Sequence, residues 1–219
     1  MITFSTIDGT PVYYWRSSRG NTTARNWQVT QEFYNQLVNW IRDLRSLSSG
    51  YGSITYLVSA GFYVNKPGQH GAGTAMDLDH VRWSSARVCS PLDRHHASSD
   101  AALRRRYLAV DAVARRRFRF VLDGWYNAEH ADHIHTDFGG LPVRCVQGSA
   151  SDCKFVQAMC NNFRNAGLAV DGVWGPLTNA AFNGAKSALG ITGDPHSSTA
   201  VWQSMLSRIA QRGFANQTF

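Results

Sequence analysis

Two short segments of this chain carry residue types that do metal chemistry: Gln69-His70-Gly71-Ala72-Gly73-Thr74-Ala75-Met76-Asp77 and Glu129-His130-Ala131-Asp132-His133-Ile134-His135. His70, Asp77 and His135 offer two imidazoles and a carboxylate as metal ligands, and Asp132 sits three residues before the last of them. Three protein ligands with one open position is the arrangement of a catalytic zinc site, whereas structural zinc sites are usually closed by four. Zinc supplies a Lewis acid and lowers the pKa of its water to about 7. A base must still take the water proton and pass it to a leaving amine; Asp132 is the first candidate and Glu129 the second. His133 is suited to hydrogen-bond a developing oxyanion. His80, His95, His96 and His196 show no partner pattern and read as structural or solvated, and His130 reads either way.

These residues need elements that bring them together. Residues two apart on a strand share a face. With 133–138 as a strand, His133 and His135 point the same way; with 74–78 as a strand, so do Ala75 and Asp77. Antiparallel pairing of the two puts Asp77, His133 and His135 on one surface, with His70 reaching in from the preceding loop. Gly71, Gly73 and Ala75 are small, as suits backbone turning closely around an ion.

Around this centre the pattern predicts an irregular N-terminus with strand-like pieces such as 11–15, then a helix from a Thr30 cap to about Leu47 on the line Phe33, Leu37, Trp40, Ile41 and Leu44. A strand follows at 54–59, then a long loop over 81–99. A second helix, capped by Ser98 or Ser99, runs from Asp100 to about Arg116 on Leu103, Tyr107, Val110 and Ala114. Phe118–Trp125 and His133–Phe138 read as strands, ended by Gly139-Gly140 and Pro142. Residues 147–151 read as a linker. Beyond it lie three helical patterns: one on Phe155, Val156, Met159 and Phe163, one over Thr178–Leu189, and one from Ser198 to about Arg212. The expected organisation is α+β, with a catalytic domain over 1–146, a linker over 147–151 and a three-helix domain over 152–219.

The 219 residues are enough for one full core, or for an ordinary domain plus a small module. No apolar run of about 18 residues appears, so no membrane span is expected. The N-terminus shows no basic region followed by an apolar one, so a signal peptide is absent or already removed. The net charge of +7 comes largely from arginines, notably Arg104-Arg105-Arg106 and Arg115-Arg116-Arg117. These read as a solvated helix face, or as a field that attracts a polyanion such as a bacterial wall. No nucleic-acid-binding signature accompanies them. Cys89, Cys145, Cys153 and Cys160 form no Cys-x-x-Cys pair. Their even number fits two disulfides, each joining Cys153 or Cys160 to Cys89 or Cys145, because a helix would hold Cys153 and Cys160 roughly 10 Å apart. Buried free thiols are the alternative.

The motifs resemble a known family. His70-x-x-Gly73-x-Ala75-x-Asp77 matches the His-x-x-Gly-x-Ala-x-Asp pattern of the lysostaphin-type, or LAS, zinc peptidases, which include D-Ala-D-Ala peptidases and hedgehog-like domains. Asp132-His133-Ile134-His135 resembles their acid-x-x-His and His-x-His motifs, and the stretch from Phe120 to Phe138 is similar to the extensin-like C-terminal branch. The resemblance implies a small antiparallel sheet flanked by helices, zinc on His70, Asp77 and His135, Asp132 as base and His133 stabilising the transition state. One departure stands out: Gly61-Phe62-Tyr63 occupies the place where many D-Ala-D-Ala peptidases carry Gly-Tyr-Arg, and Arg25 is a candidate to replace the missing cation. Downstream, Val170-Asp171-Gly172-Val173-Trp174-Gly175-Pro176-Leu177-Thr178 resembles the three-helix peptidoglycan-binding module, with Asp171, Gly172, Trp174, Gly175 and Thr178 as its motif. An unrelated helical cap with a turn is the plain alternative.

Together these imply a zinc peptidase cutting stem-peptide or cross-link amide bonds of peptidoglycan, D,D-bonds in preference, with an L-Ala-D-Glu endopeptidase lysin next. The rival of another class is a non-catalytic, zinc-containing wall-binding protein. The partners implied are bacterial peptidoglycan and a cognate immunity or inhibitor protein, not nucleic acid, and a monomer is expected. The site of action is the bacterial wall or periplasm, reached as a phage lysin, a delivered effector or a trimmed secreted protein.

Overall fold

The computed structural model describes residues 1–139 and 142–219, so Gly140 lies outside the described residues. Strands β1 (Ile2–Phe4), β2 (Thr6–Ile7), β3 (Thr10–Tyr13) and β4 (Trp27–Val29) lead into α1 (Gln31–Leu47). Thr30 caps α1 as the sequence predicts, its side chain accepting from the Phe33 amide. The apolar line from Phe33 to Leu44 is buried. Then come β5 (Ile54–Gly61), the one-turn α2 (Gln69–Ala72), β6 (Ala75–Trp83), β7 (Val88–Cys89), α3 (Ala101–Arg115), β8 (Phe120–Leu122) and β9 (Ile134–Asp137). Helices α4 (Ala150–Arg164), α5 (Pro176–Ala188) and α6 (Thr199–Phe214) complete the chain.

The fold is α+β. β1 and β4 form a small antiparallel pair, and a larger sheet runs β2-β3-β5-β6-β9-β8 with β7 on β6. β3 and β5 pair parallel, so the larger sheet is mixed rather than wholly antiparallel. Parallel neighbours need a long crossover, and the connection through β4 and α1 provides it. The sheet contributes Leu57, Met76, Leu78, Val81 and Ile134 to the same hydrophobic cluster as α1 and α3. That cluster takes in residues on both sides of 147–151, from Phe4 to Phe214.

The expected loop over 81–99 is instead the end of β6, β7 and two short 3-10 turns, Pro91–Asp93 and His95–Ala97. Register shifts opposite β5 break the two-residue alternation along β6, so the strand hides its period. Asp100 rather than a serine caps α3, accepting from the Ala102 amide.

The arginine runs are not a solvated face. Arg104 and Arg105 bond Asn162 of α4, Arg106 bonds the Val88 carbonyl, and Arg116 and Arg117 both reach Asp43 of α1. Arg115 is buried among Asp111, Asp123 and Asp152 at 2.8, 3.1 and 3.0 Å. α6 packs closely on α3: a Cβ at Gly213 would stand 2.5 Å from the Arg105 carbonyl oxygen. The expected disulfides are not formed, and all four cysteines are buried free thiols. Each fills core space as a small hydrophobe, and burial pushes Cys89 and Cys160 up to about 12.

Candidate metal centre

The β6–β9 ladder sets Asp77 directly opposite His135. Met76 and Leu78 on either side are buried in the core, so alternation turns Asp77 to the other face. His70 arrives on α2, whose Gly71 is demanded by space, since a Cβ there would meet the Lys66 carbonyl oxygen at 1.6 Å.

His70 Nδ1 donates to the Phe62 carbonyl at 2.5 Å. Its Nε2 is left facing Asp77 Oδ2 at 3.1 Å. His135 Nδ1 lies 2.9 Å from Asp77 Oδ1, and its Nε2 lies 3.4 Å from Asp137 Oδ2. One donor atom from each of His70, Asp77 and His135 falls within 4.8 Å of the others. Bonds of zinc length would space tetrahedral ligands about 3.3 Å apart. Two imidazoles and a carboxylate, each imidazole held from behind by an acceptor, suit a divalent transition-metal ion. Burial opposes ionisation of Asp77, but His135 and His70 outweigh it and hold the carboxyl below its usual range. Burial likewise opposes protonation of His135, yet Asp137 and Asp77 raise its pKa to about 9. The shifts point the same way: the two carboxylates, Asp77 and Asp137, favour positive charge at this position, as a bound cation would supply.

His133 precedes β9 but shares the face of His135, as strand periodicity predicts: its Nε2 is 3.7 Å from Asp77 Oδ1. Its Nδ1 is 2.9 Å from Asp132 Oδ1. The other oxygen of Asp132 accepts from Arg16 Nη1 at 2.5 Å, and Arg16 also forks onto Asp79 at 2.8 and 2.7 Å. Arg16 above all, against burial and with help from His133, lowers the Asp132 pKa to about 2. Glu129 stands exposed on the one-turn helix Ala128–His130. His130 bonds Asn127 at 2.6 Å, and its ring lies 5.0 Å from that of His133. Burial, then the neighbouring His133 and His135, lowers it to about 4.

Sequence reasoning missed Arg16, Asp79 and Asp137. Asp137 lies two residues beyond His135 on the same strand, so the period of two is a signal that could have found it; Asp79 sits where the β5–β6 register shifts, and there the alternation fails. No local signal marks Arg16. Arg25 instead stacks on Tyr14 and Trp27, 4.4 and 4.7 Å from their ring centres. With Gly61, Phe62 and Tyr63 it lines a cavity of about 140 Å³.

In the C-terminal part, Gln157 organises the predicted motif. It donates to Asp171 and Thr178 at 2.8 and 3.2 Å and accepts from the Gly172 amide at 3.0 Å. Gly175 precedes α5, and the Trp174 ring packs 5.1 Å from Phe182. Val173 and Leu177 are left exposed beside a cavity of about 220 Å³.

Residues 59–145 match the family model described as extensin-like protein C-terminus, a span that contains His70, Asp77, Asp132, His133 and His135. Comparison with curated proteins and with solved structures gives no match. Over these residues the chain is similar to the extensin-like branch of the peptidase resemblance.

Proposed function

We propose that this chain is a zinc-dependent peptidase that hydrolyses stem-peptide or cross-link amide bonds of peptidoglycan, D,D-bonds in preference. The observation that supports it is the three-ligand cluster of His70, Asp77 and His135 with an acid–imidazole pair beside it. Lewis acidity, and acidification of a water molecule to a pKa of about 7, is the chemistry zinc supplies when bound. Asp132 takes the water proton and delivers it to the leaving amine, as a general base and then acid. His133, whose Nδ1 donates to Asp132, directs Nε2 toward the cluster and, as the imidazolium with both nitrogens protonated, donates from Nε2 to the developing oxyanion.

Residues 152–219 hold the enzyme on the wall, where a tether raises the local substrate concentration. The exposed Val173 and Leu177 beside the motif turn support that assignment. The place of action is the bacterial wall or periplasm. Among the described residues no helix is long and apolar enough to cross a membrane.

Digestion of purified peptidoglycan by the intact protein and by Asp132→Ala tests the reading. The intact protein is expected to change the muropeptide masses, and Asp132→Ala to be slower by about 100-fold or more. Release of D-Ala or opened D-Ala cross-links identifies a D,D-bond, whereas new D-Glu amino termini identify the L-Ala-D-Glu endopeptidase. Unchanged muropeptides with zinc-loaded protein would overturn the enzyme assignment and leave the wall-binding reading, measured by co-sedimentation with the wall.

A further inference from the structure

Arg16 lies outside residues 59–145, the span that matches the extensin-like family, yet it touches the acid beside the metal cluster. We propose that Arg16, anchored on Asp79, is a positioning residue for Asp132, so that the N-terminal segment completes the site; this rests on the peptidase reading above.

The guanidinium is engaged on two sides. Nε and Nη2 fork onto the two Asp79 oxygens at 2.8 and 2.7 Å, while Nη1 bonds Asp132 Oδ2 at 2.5 Å. Nη2 also reaches the Asp132 carbonyl at 3.2 Å, so the same group holds both the side chain and the backbone of the acid. The Asp79 side chain is fully buried, with 0% exposed. It lies where the β5–β6 register shifts, and that bulge re-aims the carboxylate. The far oxygen of Asp132 is occupied by His133 Nδ1 at 2.9 Å. Asp132 itself belongs to an irregular segment and its side chain is 38% exposed. Without Arg16 its carboxylate would be free to change rotamer. A planar fork can grip two carboxylates in fixed directions, and a lysine ammonium cannot. The segment has a second tether, Arg19 to Asp93 at 2.6 Å, far more exposed and touching neither Asp132 nor the cluster.

The test uses the zinc-loaded 219-residue chain. Arg16→Ala is expected to lower kcat on a cross-linked muropeptide by about 100-fold, the usual cost of a misplaced catalytic group. KM and zinc affinity by calorimetry stay at the wild-type level. Arg16→Lys does not restore the rate, Asp79→Asn reproduces the loss, and the double variant is no worse than either single one. Arg19→Ala keeps the wild-type kcat. A crystal structure of Arg16→Ala shows the Asp132 carboxylate beyond about 3.5 Å from His133 Nδ1. A kcat within about threefold of wild type overturns the proposal. So does an unmoved Asp132 in that crystal structure, or a loss of zinc affinity in step with the rate. If Asp79→Asn fails to fold, the partly exposed Arg16 variants decide. An inactive wild type sinks the peptidase reading alone, and the position of Asp132 in the variant structure still decides whether Arg16 sets it.

Discussion

Asp77 and His135 face each other across the β6–β9 ladder with Oδ1 and Nδ1 2.9 Å apart. This cross-strand pair ties the metal cluster to sheet register, because a slip of one residue would send the two side chains to opposite faces. His70 is added from α2 and held by the Phe62 carbonyl on the neighbouring β5 side of Asp77.

Zinc is therefore expected to stabilise the folded chain through this cluster. At free zinc about 100 times the dissociation constant, the gain is about 2.7 kcal/mol. Chelation reverses it, and His135→Ala abolishes it. Thermal unfolding with and without zinc reads the effect, and an equal zinc response in His135→Ala would place the metal elsewhere.

Arg115 is a buried cation among three carboxylates, joining α3 to Asp123 and to Asp152 of α4. Its replacement by methionine leaves those acids without their counter-charge. The expected cost is about 3–5 kcal/mol in urea unfolding. Breaking the pair of Arg42 and Asp8, where Arg42 is solvent-exposed, should cost far less, because water screens it.

His80 is buried against Trp15 and Tyr56, and neither of its ring nitrogens has a partner among the described residues. Burial lowers its pKa to about 4, opposed by Asp93 and assisted by His95, Arg19 and Arg82. The unfolded imidazole, at about 6.5, takes up a proton first as pH falls. Stability is thus full above pH 6.5, declines between 6.5 and about 4, and levels off below. The share of His80 is roughly 3 kcal/mol. His80→Phe keeps the ring contacts and should flatten the decline by that share, read as the difference between the two pH profiles of unfolding free energy.

The four thiols are buried, and burial raises Cys153 to about 11 and Cys89 and Cys160 to about 12. A thiol-reactive dye should modify none of them in the native protein and all four in denaturant, without prior reduction. Thiols that appear only after reduction would show that disulfides had formed.

Residue type and spacing alone mark the candidate ligand set and the face it lies on. His70, Asp77 and His135 are marked by residue type, and the strand period of two places His133 with His135, because backbone pleating is a local property. The α1 line from Phe33 to Leu44 and its Thr30 cap were legible for the same reason. The period along β6 was not, since its register shifts opposite β5 break the alternation. Tertiary structure alone decided the partners of charges. Arg16 finds Asp132 across 116 positions of chain, and Arg115 finds Asp152 across 37. A guanidinium carries no periodic signature, and its partner is whichever carboxylate the fold brings within reach. The same holds for the thiols, where sequence counted an even number and only packing put each in the core unpaired. The candidate metal-binding residues are local and can be read from spacing; the partner of Asp132 cannot, because Arg16 lies outside the motifs and only the fold brings it within reach.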